Sequence, residues 1–429
     1  MIGRLCFLIS LCVWIISCSP KSAIVKSLVE TEVKFKDHTG FALFDPIEKK
    51  PLIDYHSDKY FTPASNTKIF TFYTSLQLLG DSVASLKYVQ NNDSLIFWGM
   101  GDPSFLYPTV YSNERVFKFL KNAPDKLFFS TTTFQTEHLG NGWSWDDYPY
   151  SYASERTPFP MYGNYIRVNK GANQSLQFAP SYFSKFISNS TETHEQEEII
   201  RAIDSNQMTY YSGKKPTRQW EVPFHYSPDL LETLLSDTLK RPVYHLHKAI
   251  AQNASILKSM PADSLYKAMM QESDNFIAEQ LLLQCAAVVS DTLKPEIAIR
   301  YATKNFLADL PDKIQWVDGS GLSRFNLFTP RTIIKLWDKI NAVVPRERLF
   351  KLLAEGGKSG TIKNWYKADV PYIYAKTGTL SNNHCLSGFI ITKKGKTLIF
   401  SMMSNNFVDS TNELRKQMER ILKLIYEKY

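Results

Sequence analysis

The sequence predicts a mixed α/β (α+β) fold in which an inserted β-rich domain interrupts the principal domain. Three observations support this prediction. Strand and helix patterns mix at both ends of the chain, residues 81–249 form short alternating segments instead, and the short motifs with catalytic character lie outside those residues. We therefore expect a discontinuous domain of residues 25–80 plus 250–429 around an accessory domain at 81–249.

The composition excludes several classes of protein. With 429 residues the chain is too long for one ordinary core, and an apolar fraction of 44% is too high for a disordered protein. The net charge is +8, but lysines and arginines are scattered and form no basic stripe with interleaved aromatic residues. We therefore predict no nucleic-acid partner.

The N-terminus has the features of an export signal. Residues 1–17 place Arg4 before a short apolar run that ends in Ile15-Ile16-Ser17-Cys18, a sequence that resembles a bacterial lipobox. We predict a lipoprotein-type signal peptide at 1–17 and lipidation of Cys18, with an ordinary signal peptide as the alternative. Either leader implies export to the cell envelope. Lipidation would anchor the mature protein to a membrane, with its folded part in the periplasm.

The two cysteines left in the folded body do not indicate a disulfide framework. Cys6 and Cys12 would leave with the signal peptide and Cys18 would be modified. Cys285 and Cys385 lie in the apolar stretches QCAAVV and HCLSGF, which is typical of small buried thiols.

The first part of the chain predicts a hairpin followed by a helix. GFALFD and PLIDYH read as strands around the turn-like PIEKK, within residues 39–56. In the stretch FTPASNTKIFTFYTSLQLLG, apolar residues recur at helical spacing, Pro63 suits the first turn and Gly80 supplies a stop. Within the insertion, the polar run SNSTETHEQEE is predicted to be an exposed loop.

Beyond residue 250 the patterns predict a helix, a hairpin and a final helix. The stretch SLYKAMMQESDNFIAEQLLLQCAAVV is helical in pattern, and CLSGFIIT with TLIFSMMS predicts a hairpin around KKGK. The final NELRKQMERILKLIYEKY is amphipathic. Its predicted buried face consists of Leu414, Met418, Ile421, Leu422 and Ile425.

The first candidate motif is Ser65-Asn66-Thr67-Lys68. Ser65 and Lys68 are three residues apart on the predicted helix, so their side chains share one face. A lysine in an apolar, partly desolvated pocket can be neutral and accept the proton of a serine that attacks a carbonyl. We predict Ser65 as nucleophile and Lys68 as general base. The alternative is an exposed helix lysine beside a capping serine.

The second motif is Ser273-Asp274-Asn275, and the third is Lys376-Thr377-Gly378-Thr379. Ser273 can relay a proton to the leaving group, Asn275 can bind a peptide amide, and Lys376 adds positive charge near the nucleophile.

The same strand supplies candidate substrate contacts. The hydroxyls of Thr377 and Thr379 can bind a terminal carboxylate, and Gly378 permits close approach of an extended substrate. The backbone N–H groups of Ser65 and Thr379 are candidates for an oxyanion hole. Read alone, each motif could instead be a structural turn or helix start. Their order and context favour a catalytic site that needs no metal and no cofactor.

The three motifs match the set S-x-x-K, S-D-N and K-T-G of penicillin-binding proteins and class A β-lactamases. With GMGDPSF, GWSWDDYPYSY, MMQESDNFIAEQLL and VDGSGLSRFNLFTP, the chain resembles the class C low-molecular-mass penicillin-binding proteins, the D-alanyl-D-alanine carboxypeptidase/endopeptidase family. The resemblance implies a β-lactamase-like serine transpeptidase fold. It also implies peptidoglycan stem peptides ending in D-Ala-D-Ala as substrates and β-lactams as covalent inhibitors acylating Ser65. Asp318-Gly319-Ser320-Gly321 and the residues to Arg324 resemble a family signature, which we interpret as a tight structural loop.

Two other functions remain open from sequence. The same scaffold could serve a β-lactamase or esterase, although such an enzyme needs no inserted polymer-binding platform. A non-catalytic penicillin-binding envelope protein is also possible, although binding alone requires no nucleophile with its base.

Overall fold

The computed structural model describes residues 20–110, 114–124 and 126–429. The predicted signal peptide and Cys18 lie outside the described residues. Within these ranges the chain forms both helices and strands, which confirms the predicted α/β (α+β) class.

The helices are α1 (Pro20–Phe35), α2 (Lys68–Leu78), α3 (Arg115–Lys121), α4 (Pro228–Leu239), α5 (Ala262–Lys267), α6 (Asn275–Ser290), α7 (Pro295–Asn305), α8 (Pro330–Val343), α9 (Arg346–Leu352) and α10 (Thr411–Lys428). The strands are β1 (His38–Asp45), β2 (Lys50–Tyr55), β3 (Ser82–Gln90), β4 (Ser94–Gly99), β5 (Lys126–Ser130), β6 (Tyr165–Lys170), β7 (Leu176–Ala179), β8 (Ile187–Gln196), β9 (Glu198–Arg201), β10 (Met208–Lys215), β11 (Gln219–Pro223), β12 (Val243–His245), β13 (Ser255–Pro261), β14 (Ala354–Glu355), β15 (Ile373–Leu380), β16 (Asn383–Ile391) and β17 (Thr397–Asn405).

The largest sheet joins the two ends of the chain. Its strand order is β14-β15-β16-β17-β1-β2, and its pairs are antiparallel. The two predicted hairpins are confirmed. The β16–β17 hairpin lies at the centre of the sheet, and the β1–β2 hairpin lies at one edge. Helices cover both faces, so β16 and β17 are almost wholly buried.

Helices α1 and α10 cover one face of this sheet. The predicted apolar face of α10 is buried, as expected from its helical spacing. It packs with Phe41, Leu386 and Phe400 in one hydrophobic cluster. On the opposite face, α2, α6 and α8 form a second cluster with residues such as Phe389 and Met403. The sheet is therefore a rigid layer that supports α2 and β15.

Residues between α2 and α5 form three further sheets. Their orders are β12-β5-β4-β3-β13, β8-β10-β9 and β11-β6-β7. These sheets and α4 share a hydrophobic cluster that includes Phe97, Phe183 and Leu234. Strand β13 pairs with β3, so the five-stranded sheet includes residues on both sides of position 250.

The prediction of an exposed loop at SNSTETHEQEE was wrong. These residues lie largely in β8, which pairs with β10 in parallel. Main-chain pairing with a strand about twenty residues away stabilises this polar segment, and side-chain pattern alone does not reveal such pairing. Among the described residues, no helix combines the length and apolar character needed to cross a membrane.

Candidate active site

Ser65 lies on a single 3-10 turn, Ala64–Thr67, that leads directly into α2. Ala64 has a φ of 47°, in the left-handed region, so the chain turns sharply just before Ser65. Gly321 packs against this turn: a Cβ at that position would lie 1.9 Å from the Ala64 carbonyl oxygen. The absence of a side chain at Gly321 therefore allows the Ser65 turn to form.

Lys68 is fully buried one turn after Ser65. Its Nζ donates to Ser65 Oγ at 2.8 Å, to Asn275 Oδ1 at 2.6 Å and to the Ser320 carbonyl oxygen at 2.7 Å. Burial lowers the pKa of Lys68 to about 8, against the opposing negative charges of Asp318 and Glu279. A neutral fraction of this amine near physiological pH can accept the Ser65 proton.

The second motif sits at a break between two helices. After α5 the chain makes one π-helical turn, Ala268–Glu272, and Ser273 then takes a left-handed φ of 63°. Asp274 caps α6 by accepting the Ile277 N–H at 2.8 Å, and Tyr107 donates its hydroxyl to the same carboxylate. Asp274 therefore serves as the N-cap of α6.

Asn275 and Ser273 connect the motifs to each other. Asn275 accepts from Lys68 through Oδ1, and its Nδ2 donates to the Tyr152 carbonyl oxygen at 2.9 Å. Lys376 Nζ donates to Ser273 Oγ at 2.7 Å. Burial, and then the charge of Lys68, hold the pKa of Lys376 well below its usual range. Each of the two buried lysines thus contacts a serine hydroxyl across a short distance.

Strand β15 packs tightly against the Ser65 turn. A Cβ on Gly378 would lie 2.4 Å from the Pro63 carbonyl oxygen and 3.0 Å from the Ser65 nitrogen. Asn66 joins the turn to the strand, because its Nδ2 donates to the Lys376 carbonyl oxygen at 3.1 Å. These contacts hold the β15 main chain at Lys376 and Gly378 against the Ser65 turn.

The two threonines of the third motif face different surroundings. Thr377 is 6% exposed and donates its hydroxyl to Thr361 at 2.7 Å. Thr379 is exposed and lines the cavity in front of Ser65. Thr379 is therefore exposed at the cavity wall, whereas the Thr377 hydroxyl is engaged with Thr361.

The cavity in front of Ser65 has a volume of about 490 Å³. Residues from all three motifs and from the insertion line it. They are Ser65, Asp147, Tyr152, Ser273, Asn275, Gly321, Leu322, Arg324, Thr379, Leu380, Ser381 and Thr411. The predicted residues Lys68 and Lys376 lie buried behind this wall.

The Asp318 loop is a tight structure, as interpreted from its glycines. Buried Asp318 accepts the N–H groups of Gly321 at 2.8 Å and Ser323 at 2.7 Å. Glu279 on α6 accepts the Ser320 N–H at 2.7 Å, and Arg156 lies 3.5 Å from the same carboxyl group. This network fixes the position of the Ser320 carbonyl oxygen, which accepts a hydrogen bond from the Lys68 amine.

Several residues that shape the site are not apparent from sequence. Tyr107 and Tyr152 come from the insertion, and Arg324 and Asp147 add one charge of each sign to the cavity wall. The aromatic run GWSWDDYPYSY was the available signal for Asp147 and Tyr152, but nothing local links it to Asn275. Across the described ranges, no group of three or more His, Cys, Asp or Glu side chains could hold a metal ion.

Several known proteins are similar to this chain in sequence or in fold. The D-alanyl-D-alanine carboxypeptidase DacB of Haemophilus influenzae is 24% identical over 431 residues, covering 89% of this chain and 88% of the relative. The crystal structure of penicillin binding protein 4 (dacB) from the same organism matches with a TM-score of 0.74 at 20% identity, over 95% of this chain and 99% of that one. Bd3459, a predatory peptidoglycan endopeptidase from Bdellovibrio bacteriovorus, matches with a TM-score of 0.54 at 15% identity, over 91% and 92%.

The family model for D-Ala-D-Ala carboxypeptidase 3 (S13) matches residues 23–425. This range contains both parts of the discontinuous sheet and all three motifs. The chain therefore belongs to the D-Ala-D-Ala carboxypeptidase 3 (S13) family and is a serine-type D-Ala-D-Ala carboxypeptidase.

Proposed function

We propose that Ser65 hydrolyses the D-Ala-D-Ala bond of peptidoglycan stem peptides through an acyl-enzyme. Ser65 Oγ attacks the carbonyl carbon of the penultimate D-Ala, while neutral Lys68 accepts the hydroxyl proton. Collapse of the tetrahedral intermediate breaks the peptide bond, and the departing amine receives a proton through Ser273. Water then attacks the ester carbonyl and gives one proton to Lys68; the C–O bond of the ester breaks, the shortened peptide leaves as the acid, and that proton passes to Ser65 Oγ.

The observation that carries this proposal is the contact between the buried Lys68 amine and the partly exposed Ser65 hydroxyl. Lys68 Nζ lies 2.8 Å from Ser65 Oγ, and burial lowers the pKa of this lysine to about 8. A general base works best when its pKa is near the working pH. An exposed lysine, with an ordinary pKa above 10, would be protonated almost completely at neutral pH.

The remaining motif residues have supporting roles in this proposal. Lys376, 2.7 Å from Ser273 Oγ, assists the proton transfer to the leaving amine, and Asn275 orients Lys68 and the substrate amide. The N–H groups of Ser65 and Thr379 form the oxyanion hole, supported by the close packing of Gly378 on the Ser65 turn. Thr379, with Thr377 and Gly378 beside it, receives the end of the substrate on β15.

The same site explains inhibition by β-lactams in this proposal. A β-lactam presents an amide carbonyl and a carboxylate in the relation found in D-Ala-D-Ala, and attack by Ser65 opens its ring. The ring-opened leaving group stays attached, so water reaches the ester slowly. The similarity to a protein named for penicillin binding supports this part of the proposal.

We further propose how the chain is divided into domains and how it is anchored in the cell envelope. Residues 25–80 plus 250–429 form the catalytic domain, and 81–249 form an accessory domain to which β13 adds one edge strand. The six-stranded sheet, whose strands all lie in 25–80 or 250–429, supports this division. Residues 1–17 are a lipoprotein-type signal, and lipid on Cys18 tethers the enzyme to a membrane.

The test is digestion of purified muropeptides, followed by liquid chromatography and mass spectrometry. The full-length enzyme should release D-Ala from a pentapeptide monomer, and Ser65→Ala should lose at least roughly 10⁴-fold in rate. A cross-linked dimer in the same assay separates carboxypeptidase from endopeptidase preference. Intact substrates after long incubation with the folded wild-type enzyme would contradict the proposed function.

A further inference from the structure

A histidine and an arginine lie behind the one motif threonine that faces the cavity. Thr379 and His384 are direct partners across β15 and β16, and His384 Nδ1 lies 2.8 Å from Thr379 Oγ1. Arg415, on α10, places Nη2 3.5 Å from the same oxygen. His384 is only 1% exposed, so its ring faces the threonine from the protein side.

The position of the Thr379 hydroxyl proton decides what this side chain can bind. A hydroxyl donates one hydrogen bond and accepts up to two, whereas a guanidinium only donates. If His384 Nδ1 accepted, the hydroxyl proton would point into the protein and the cavity would face oxygen lone pairs. If Nδ1 carries a proton and donates, both protein groups donate to the oxygen, and the hydroxyl proton faces the cavity.

We propose that His384 donates from Nδ1 to Thr379, which turns the Thr379 hydroxyl proton toward the cavity, while Arg415 supplies positive charge behind it, so that the three residues select substrates with a free terminal carboxylate. This inference rests on the proposed function and deepens it. His384 and Arg415 act through Thr379 and are positioning residues. Thr379 makes the contact with the substrate.

The surroundings of the third motif favour this arrangement. The neighbouring Thr377 donates its hydroxyl to Thr361, and Lys376 directs its amine to Ser273 and to the Thr377 carbonyl oxygen. Thr379 is then the motif hydroxyl available at the cavity wall. A carboxylate accepts hydrogen bonds and donates none, so it requires the hydroxyl proton to face it.

The charges of the two supporting residues fit the same arrangement. Burial, and then the positive charge of Arg415, lower the pKa of His384 to about 3, so the ring is neutral at working pH and has one N–H to donate. The Arg415 guanidinium lies 5.9 Å from the centre of the Trp365 ring, a cation–π contact that fixes its position. A permanently charged cation therefore stands beside Thr379 even when Lys376 is neutral.

The test compares two substrates that differ at one group: a stem peptide ending in D-Ala-D-Ala with a free carboxylate, and the same peptide with a terminal carboxamide. The purified full-length enzyme is compared with His384→Leu, which removes the ring nitrogens, and His384→Asn, which keeps a donor near the position of Nδ1. Loss of a charged hydrogen bond corresponds to roughly 10-fold to 100-fold.

We expect His384→Leu to lower kcat/KM for the carboxylate peptide by that factor, mainly through KM, and to leave the carboxamide peptide within about threefold. His384→Asn should restore most of the preference. Arg415→Gln keeps a donor but removes the charge. It should lower the ratio of kcat/KM for the carboxylate peptide to that for the carboxamide peptide by a smaller factor than His384→Leu does. Arg415 is only partly buried on the amphipathic helix α10, so Arg415→Gln should fold. The preference can therefore be measured in Arg415→Gln even if His384→Leu does not fold.

Nitrogen NMR of the enzyme with ¹⁵N-labelled histidine provides an independent readout. The His384 resonance, assigned by its loss in His384→Asn, should show a protonated Nδ1. An unprotonated Nδ1, an equal loss on both peptides, or an unchanged preference in both His384→Leu and Arg415→Gln would overturn the inference and leave the proposed function intact. A wild-type enzyme that cleaves neither peptide and binds no penicillin would overturn both.

Discussion

Two regions of the chain build the cavity, and they contribute in different ways. Residues 25–80 plus 250–429 supply compact motifs whose members act on each other directly, such as Lys68 on Ser65 at 2.8 Å. Residues 81–249 supply single residues that hold those motifs in place, such as Tyr107 on Asp274 and the Tyr152 carbonyl on Asn275. The residues to which we assign chemical steps thus lie in the first region, while residues of both regions hold them in position. This comparison predicts large losses of activity in the first region and mainly losses of stability in the second.

After Ser65→Ala, the largest effect is expected for Lys68→Met, which keeps the length of the side chain and removes the amine. We expect kcat/KM on a D-Ala-D-Ala peptide to fall by roughly 10³-fold, within the range for loss of a general base. The measurement is steady-state D-Ala release, with thermal unfolding to verify that the variant is folded. Activity within tenfold of wild type would show that another group takes the Ser65 proton.

Gly378→Ala tests the close packing of β15 on the Ser65 turn. The added Cβ would meet the Pro63 carbonyl oxygen at 2.4 Å, so the strand must shift relative to Ser65. A displacement of this size near reacting groups costs roughly 10²-fold in rate. Penicillin acylation rates measure it, with Gly171→Ala as the control, because Gly171 lies in a β-turn beyond β6 where the near contacts are mainly side-chain atoms. Equal acylation rates for Gly378→Ala and Gly171→Ala would show that close packing of β15 on the Ser65 turn is not needed for acylation.

Tyr107→Phe tests the support that the insertion gives. The change leaves the partly buried Asp274 carboxylate without its tyrosine donor, although desolvation already raises the pKa of Asp274. We expect a loss of about 1–3 kcal/mol in the free energy of unfolding, with a smaller effect on turnover than Lys68→Met has. Chemical denaturation measures the loss. Tyr150→Phe, at an exposed ring, is the control and should change stability by about 0.5 kcal/mol or less.

The smallest expected effect is a shift in pH dependence for Glu279→Gln, at the residue that links the two regions through Arg156. The Glu279 carboxylate raises the pKa of Lys68, which burial lowers to about 8. Lys68 acts as a base when neutral, so kcat/KM should rise with pH through its pKa. Removing the negative charge lowers that pKa, and the midpoint of the rise should move to lower pH by up to about one unit. A shift to higher pH would contradict the assignment of Lys68 as base.

Local sequence spacing predicted the site where its geometry is local. Ser65, on the 3-10 turn, and Lys68, at the start of α2, meet because they are three residues apart. Asp274 caps α6 because its side chain accepts an N–H of the first turn. The hairpin of β16 and β17 was also predicted from sequence, because both strands are apolar and only a short turn separates them in the chain. The family resemblance then joined the three motifs across more than two hundred residues.

The features that were missed depend on contacts between distant parts of the chain. Nothing near Thr377 indicates that its hydroxyl donates to Thr361, and the position of Arg415 beside Thr379 requires α10 to dock on the sheet. The polar strand β8 was predicted as a loop because its stability comes from main-chain pairing with β10. Sequence patterns report on local periodicity, and these contacts are set by tertiary packing.

The most direct test of the central role of Ser65 is to locate a penicillin adduct on the chain. The full-length enzyme is treated with benzylpenicillin, its intact mass is measured, and the modified peptide is sequenced by mass spectrometry beside Ser65→Ala. We predict a gain of one penicillin mass on the peptide that contains Ser65, with no gain in the folded variant. An adduct on another residue, or an adduct that persists in Ser65→Ala, would contradict the assignment of Ser65 as the nucleophile.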